Sequence, residues 1–294
     1  MLLGMFKGSL FGSSITAILI KTPGTPAAAA TVLDGYPLAQ KGKGVKAMKM
    51  ALYSSVFGDT FSDVMLIFAA GFLASIALNF GPPEYALLTG FSLICISSLT
   101  GNSIWKGLLS VFLGMIIGMI GLDPITATPR LTFDYLELEE GIGLIPMLIG
   151  TLAVSEAIRQ MEQPVKKLAS STLIFSKKKI DNIVTWSEFK STLPTILKSS
   201  GLGTLIGAMP GLGSTIAAFL AYGEAKRSSK YPDEFGKGSL EGVAASESAN
   251  NAVSGSNMIP LLAFGIPGDI AAALIMGAFL IQGITLGPVV FQDN

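Results

Sequence analysis

The sequence contains no histidine, a single cysteine and few charged residues. Without histidine, the chain has no imidazole for general acid–base catalysis or for binding a metal ion. Cys95 alone cannot close a disulfide within the chain or build a thiolate metal cluster. Lysine and arginine balance aspartate and glutamate at a net charge of zero, so the composition indicates no nucleic-acid partner. We therefore expect no cofactor and no metal site.

The rest of the composition is strongly apolar. Half of the 294 residues are hydrophobic and 14% are charged, whereas about 25% are charged in an average soluble domain. The charges cluster and leave long uncharged stretches, at 64–83, 85–105, 107–122, 199–223, 248–268 and 270–292. These stretches approach or reach the ~20 apolar residues that a helix needs to cross a bilayer. Buried helices of a soluble protein would need polar outer faces, and these stretches have none.

We predict an all-α membrane protein, a polytopic bundle of about seven to nine transmembrane or re-entrant helices. The predicted segments are 9–20, 47–80, 85–101, 104–122, 142–158, 194–222, 242–264 and 270–288. The loop at 159–190 is rich in lysine, and the positive-inside rule places it in the cytoplasm. The loop at 123–140 is acidic and should face the opposite side.

The chain also repeats itself at an offset of 244 residues. Residues 15–29 and 259–273 both contain an apolar run, a Pro-Gly pair, two further residues and three alanines. Secondary transporters use interrupted helices at matching places in two halves to build a binding site. We divide the chain into a first-repeat transmembrane region at 1–158, a cytoplasmic basic loop at 159–193 and the start of a second-repeat transmembrane region at 194–294. Two whole copies would exceed the 294 residues present. We therefore expect a fragment cut at both ends, or one piece of a split subunit.

Three Pro-Gly pairs interrupt apolar segments, at Pro23-Gly24, Pro210-Gly211 and Pro267-Gly268. Proline lacks the backbone N–H and glycine tolerates unusual dihedral angles, so such a pair ends a helix. A half-helix that begins there directs its N–H groups and a partial positive charge toward an anion. We predict that the first and third breaks approach each other and bind the substrate; a simple packing kink is the alternative. The substrate-binding residues predicted at these breaks are Pro23, Gly24, Thr25, Pro267 and Gly268.

Turn-forming residue types follow the first break at Asp34-Gly35-Tyr36-Pro37, where we predict a turn. Two adjacent amides, Asn250 and Asn251, stand near the start of an uncharged stretch. Amide side chains are costly in lipid unless they meet partners or a ligand. We predict that both asparagines bind the substrate, with hydrogen bonds between helices as the alternative.

Asp59 and Asp63 lie four residues apart, so they share one face of a helix. Carboxylates within a membrane are candidate ion sites, and we predict that this pair binds the coupling ion, either Na+ or H+. The alternative is that both groups are wet, near the interface. Two other functions remain open for this pair. One is a polytopic membrane enzyme with paired catalytic carboxylates, and the other is an ion channel.

Long motifs in the chain resemble the signatures of the large membrane subunit of tripartite tricarboxylate transporters. The motifs that carry the resemblance to the first signature are 12–19, Thr22-Pro23-Gly24 and 33–39. Those similar to the second are 207–213, 235–238, 241–244, 247–252, 259–262 and 265–268, and 81–85 also fits. The resemblance covers essentially the whole chain. The chain departs from the family pattern at Asp59, Ser246 and Asp269.

The resemblance implies a transporter rather than an enzyme. It implies a multi-pass subunit of the bacterial inner membrane that imports di- or tricarboxylates, such as citrate, driven by an ion gradient. It also implies two protein partners, a small four-helix membrane subunit and a periplasmic solute-binding protein. The sequence has no nucleotide-binding loop of the Gly-x-x-x-x-Gly-Lys-Ser/Thr type, in keeping with transport that does not use ATP in this chain.

Overall fold

The structure is a computed structural model that describes residues 1–291 apart from 99–103, 124–125, 144–145, 148, 156–157, 159–160, 162–175 and 177. The described chain is almost entirely helical, as predicted. Its α-helices are α1 (Leu2–Ile20), α2 (Ala28–Gln40), α3 (Gly44–Ala77), α4 (Pro82–Ser98), α5 (Ile104–Gly118), α6 (Trp186–Gly207), α7 (Gly213–Ser228), α8 (Leu240–Ser256), α9 (Met258–Phe264) and α10 (Ile270–Ile281). A π-helix spans Ile149–Val154, and short 3-10 turns span Leu136–Leu138, Lys179–Asn182, Pro232–Glu234 and Pro288–Phe291.

The chain divides into two compact units, residues 1–82 with 171–294, and residues 83–170. The second unit holds most of α4, all of α5 and a small antiparallel ladder, β1 (Gly121–Leu122) with β2 (Pro129–Arg130). The carboxylate of Asp123 closes this hairpin, because it accepts a hydrogen bond from the Thr126 N–H at 2.7 Å and pairs with Arg130. The candidate site lies in the first unit.

Helix α8 forms the centre of the first unit, and every residue from 242 to 256 is buried. Its sequence is mostly alanine, serine, glycine and asparagine, small residues that let neighbouring helices approach closely. Gly58 of α3 lies against the backbone of Ser248, and Gly203 of α6 lies against Ala249. A Cβ atom at either glycine would collide with the α8 backbone, so these contacts bring α3 and α6 directly onto α8.

By length and composition, two helices among the described residues could cross a membrane, α1 and α3. Two shorter apolar helices, Trp105–Gly118 and Ile270–Ile281, fall below that length. Helix α3 exposes Ile67, Phe68 and Phe72, each at least 66% accessible. A contiguous exposed apolar surface of this kind suits lipid better than water.

All three Pro-Gly pairs lie between helices, as predicted. Pro23-Gly24 separates α1 from α2, Pro210-Gly211 separates α6 from α7, and Pro267-Gly268 separates α9 from α10. Gly211 has a φ of 86°, in the left-handed region that glycine tolerates best. The breaks are thus properties of the local sequence.

The first and third breaks have the same hydrogen-bonded geometry at the repeat offset of 244 residues. The helix before each break ends at a left-handed residue, Lys21 in one copy and Gly265 in the other. The Thr22 N–H then donates to Thr16 O at 3.3 Å, and the Ile266 N–H donates to Pro260 O at 3.2 Å.

The helices that follow these two breaks also begin alike. The Ala28 N–H donates to Thr25 Oγ1 at 3.4 Å, and the Ala272 N–H donates to Asp269 Oδ1 at 2.8 Å. Asp269 therefore caps α10 in the position that Thr25 holds before α2. This role accounts for an acidic residue at the start of an apolar helix.

The turn predicted at Asp34-Gly35-Tyr36-Pro37 is wrong, because all four residues lie inside α2. The Asp34 carboxylate accepts the backbone N–H groups of Gly236, Gly238 and Ser239, each at 2.8 Å, and the Tyr222 hydroxyl at 2.9 Å. These distant donors satisfy the side chain, so it does not form the local turn that its residue type favours.

Two basic segments of the sequence contact each other. Lys46 of α3 pairs with Glu188 of α6 at 2.7 Å, and Gly42 O accepts the Ser176 N–H at 3.2 Å. These contacts put residues 42–46 on the same side of the unit as Ser176 and Glu188. Residues 162–175 of the predicted basic loop lie outside the described residues.

Candidate functional site

One face of α8 carries buried polar side chains. Spacings of three, four and seven residues put these side chains on one side of the helix. The polar residues on this side are Ser246, Glu247, Asn250, Ser254 and the C-cap residue Asn257. Each of them is at most 1% exposed. Such a polar face inside a helical bundle is a candidate binding site for a ligand or an ion.

Asn250 and Asn257 lie about two helical turns apart on this face. Within the part of the chain that the structure describes, neither the oxygen nor the nitrogen of either amide has a hydrogen-bond partner. A buried polar group without a partner costs about 1–3 kcal/mol. Four unpaired amide atoms on one helix face therefore point to a missing partner, such as a ligand.

Asn251, the other predicted asparagine, is already occupied. Its Nδ2 donates to Ser55 Oγ at 2.8 Å and to the Glu247 carbonyl at 3.0 Å. In this structure its amide nitrogen therefore links α8 to α3, as in the alternative interpretation of the sequence. Asn257 was not among the predicted residues, and its position seven residues after Asn250 was the signal that could have found it.

The chain breaks lie close to this face. A Cβ atom on Gly268 would lie 2.8 Å from Asn257 Cβ, so the third break packs directly on the end of α8. The Gly211 N–H donates to Gly268 O at 2.7 Å, which joins the second break to the third. The start of α2 packs against α7, the helix that follows the second break, through a contact of Ala27 and Ala30 with Ala218. The direct approach of the first break to the third stays a prediction.

Thr25, predicted as a substrate residue, lies at the start of α2. Its hydroxyl lies 3.0 Å from Ser13 Oγ and accepts the Ala28 N–H. Helix α10, which follows the third break, begins instead with the carboxylate of Asp269. The α2 end is therefore the less negative of the two and the better place for an anion.

Asp59 and Asp63 converge on one ammonium group, that of Lys7 in α1. Lys7 Nζ lies 2.9 Å from Asp59 Oδ1 and 2.6 Å from Asp63 Oδ2. Ser254 of α8 also donates to Asp59. The shared helix face was predictable from the spacing, but Lys7 was missed, since an isolated lysine in an apolar segment gives no sign of its partner.

The sequence matches the tripartite tricarboxylate transporter TctA family over residues 1–294. A protein from Agrobacterium vitis, named as an uncharacterized 52.8 kDa protein in the TAR-I ttuC' 3' region, is 39% identical over all 294 residues. The chain belongs to the TctA family.

A second relative of this TctA-family chain, also from Agrobacterium vitis, is named as an uncharacterized protein in the TAR-II ttuC' 3' region. It is 53% identical over 92 residues, which make up 31% of this chain and 38% of the relative. The chain spans 58% of the length of the 52.8 kDa relative. No solved structure matches the chain significantly.

The TctA-family motif at 247–252 contains one more residue that sequence reasoning left without a role. The Glu247 carboxylate is fully buried and accepts hydrogen bonds from the hydroxyls of Ser14, Thr31 and Ser55. These donors belong to α1, α2 and α3. Glu247 therefore ties the central helix of this TctA-family chain to three others.

Proposed function

We propose that this chain is the large transmembrane subunit of a binding-protein-dependent secondary transporter that imports di- or tricarboxylates. The observation that carries the proposal is the TctA-family match over the whole chain. The relatives' names state no substrate, so the carboxylate class comes from the family description alone. A tripartite transporter has two further components, which we propose are a binding protein and a small four-helix membrane subunit. We propose that the chain itself is a multi-pass protein of the bacterial inner membrane.

We place the substrate beside the Asn250 and Asn257 face of α8 and the chain breaks that pack near it. The amide groups of the two asparagines supply hydrogen-bond donors for carboxylate oxygens. The N-terminus of α2, where the neutral Thr25 accepts the Ala28 N–H, adds about half a positive charge. A substrate with two or three negative charges also needs a co-transported cation, either Na+ or H+, so the site chemistry favours coupling to an ion gradient.

The test is uptake of labelled citrate and of labelled dicarboxylates by proteoliposomes that contain the full-length subunit and its small partner. We expect uptake only when the binding protein and an ion gradient are both present. Uptake that proceeds without the binding protein would contradict the proposed assembly.

Variants at Asn250 test the site itself. Asn250→Leu keeps most of the side-chain volume and removes two unpaired polar atoms, so it should lower uptake at least tenfold without lowering thermal stability. Asn79→Leu is the control, since Asn79 is exposed just after α3 and its side chain donates to Ser75 O. Uptake by Asn250→Leu at the wild-type rate would show that Asn250 does not contact the substrate.

A further inference from the structure

Glu247 is a buried carboxylate whose hydrogen-bond partners are all neutral. Its Oε1 accepts the Ser14 hydroxyl at 2.6 Å and also the Thr31 hydroxyl, and its Oε2 accepts the Ser55 hydroxyl at 3.1 Å. The residue is 0% exposed. No lysine or arginine of the described chain forms an ion pair with it.

The charged groups on the neighbouring helices are engaged elsewhere. On α1, Lys7 is bonded to both Asp59 and Asp63 of α3. On α2, Asp34 lies one turn beyond Thr31, and its oxygens accept three backbone N–H groups and a tyrosine hydroxyl. On α8 itself, Glu241 accepts the hydroxyls of Thr195 and Ser229. None of these groups supplies the positive charge that an ionised Glu247 lacks.

An ionised carboxylate inside a membrane protein is costly without a cation, and three hydrogen bonds offset only part of that cost. Proton binding removes the charge. Serine and threonine hydroxyls both donate and accept, so one of the three can reverse and accept from the protonated acid. The site therefore suits both forms of the carboxyl group.

We infer that Glu247 is the proton-binding residue that couples this chain to a proton gradient. The inference rests on the proposed transport function and names H+ as its coupling ion. One proton binds to the carboxylate from the outer side, and the charge of the Glu247 side chain changes from −1 to 0. The same proton then leaves on the inner side. The residues that hold it, Ser14 and Thr31, flank the first chain break on either side.

Two comparisons favour a proton at Glu247. A Na+ ion needs oxygen ligands arranged around an open position, whereas both carboxylate oxygens of Glu247 are bonded directly to hydroxyls. Asp59 and Asp63 are less suited to either ion, because the Lys7 ammonium already occupies the space between them. Binding a further cation there would require Lys7 to leave.

Infrared difference spectra of the purified assembly, recorded between acidic and alkaline pH, test the protonation directly. We expect a C=O stretching band of a buried carboxylic acid that is present in the wild type and lost in Glu247→Gln. Glu188→Gln is the matched control and should keep the band, since Glu188 already pairs with Lys46. Absence of the band in the wild type, or its persistence in Glu247→Gln, would overturn the inference.

Ser55→Ala provides a second infrared test if Glu247→Gln does not fold. It removes one hydroxyl partner of the carboxyl group and should shift the band to higher frequency without abolishing it. An unshifted band would show that the absorbing acid is not Glu247.

Proteoliposomes with a pH-sensitive dye inside supply the transport readout. We expect substrate-dependent acidification of the lumen by the wild type and by Glu188→Gln, and none by Glu247→Gln. Carboxylate uptake by the wild type without acidification would overturn the inference and leave the proposed function standing. No uptake at all would instead overturn the proposed function, and the infrared band would then decide the protonation of Glu247 alone.

Discussion

Gly24 and Gly268 make the same close contact 244 residues apart. A Cβ atom on Gly24 would lie 2.9 Å from Ser13 Cα, and one on Gly268 would lie 2.9 Å from Asn257 Cα. The two contacted residues are separated by the same offset. Both turns therefore fold back tightly against the helix segment that precedes them, and space rather than dihedral angle demands glycine at these positions.

Replacing either glycine should disturb its break. We expect Gly24→Ala and Gly268→Ala each to lower the free energy of unfolding by about 1–3 kcal/mol, because an added methyl group overlaps a backbone that cannot easily move. Gly12→Ala on α1 is the control, since a Cβ there meets nothing within 4 Å. Denaturant titration of the purified protein in detergent measures the difference. Equal stability of Gly24→Ala and Gly12→Ala would refute the tight fold of the turn.

The contact between α3 and α8 allows a matched comparison within one helix. A Cβ on Gly58 would overlap the Ser248 carbonyl, whereas a Cβ on Gly71 meets nothing within 4 Å. Gly58→Ala should force α3 away from α8 and lower the melting temperature. Gly71→Ala should be neutral or stabilising by up to about 1 kcal/mol, as expected for alanine in a helix. Thermal unfolding followed by size-exclusion chromatography tests this, and a lower melting temperature for Gly71→Ala would count against the assigned packing.

The Lys7 ion pairs predict a dependence on both partners. Lys7→Met leaves Asp59 and Asp63 without their counter-ion and should destabilise the protein by about 1–3 kcal/mol, a cost moderated by partial exposure to solvent. The loss should shrink in an Asp59→Asn background, which a double-mutant cycle measures. Lys226→Met on the exposed side of α7 is the control. A coupling free energy of zero between Lys7 and Asp59 would mean that this ion pair does not contribute to stability.

The hydrogen bonds of the buried Asp34 carboxylate should protect the loop at 235–239 from proteolysis. Asp34→Ala removes the acceptor of three backbone N–H groups, so the loop should open and trypsin should cleave after the exposed Lys237 at least tenfold faster. Tyr222→Phe removes one hydrogen bond of the same carboxylate and should have a much smaller effect. Cleavage of Asp34→Ala at the wild-type rate would contradict the proposed loop attachment.

Local rules were sufficient for several features of this protein. Pro23, Pro210 and Pro267 are each followed by glycine, and each Pro-Gly pair separates two helices, as local dihedral preferences predict. The four-residue spacing of Asp59 and Asp63 puts them on one face of any helix. The apolar composition predicted the helical class and the approximate extent of α3, whereas α1 begins seven residues before the predicted segment at 9–20.

The tertiary structure alone decided which polar groups are satisfied. Asp34 reads as a turn residue in the sequence but lies inside α2, because its four donors come from residues more than 180 positions away. Asn250 and Asn251 are chemically identical neighbours, yet only Asn251 finds a partner, since a helix turns adjacent side chains toward different helices. Glu247 likewise acquires its three hydroxyls from three other helices. Sequence spacing fixes the direction of a side chain along its own helix, whereas the partner across the interface depends on how distant helices pack.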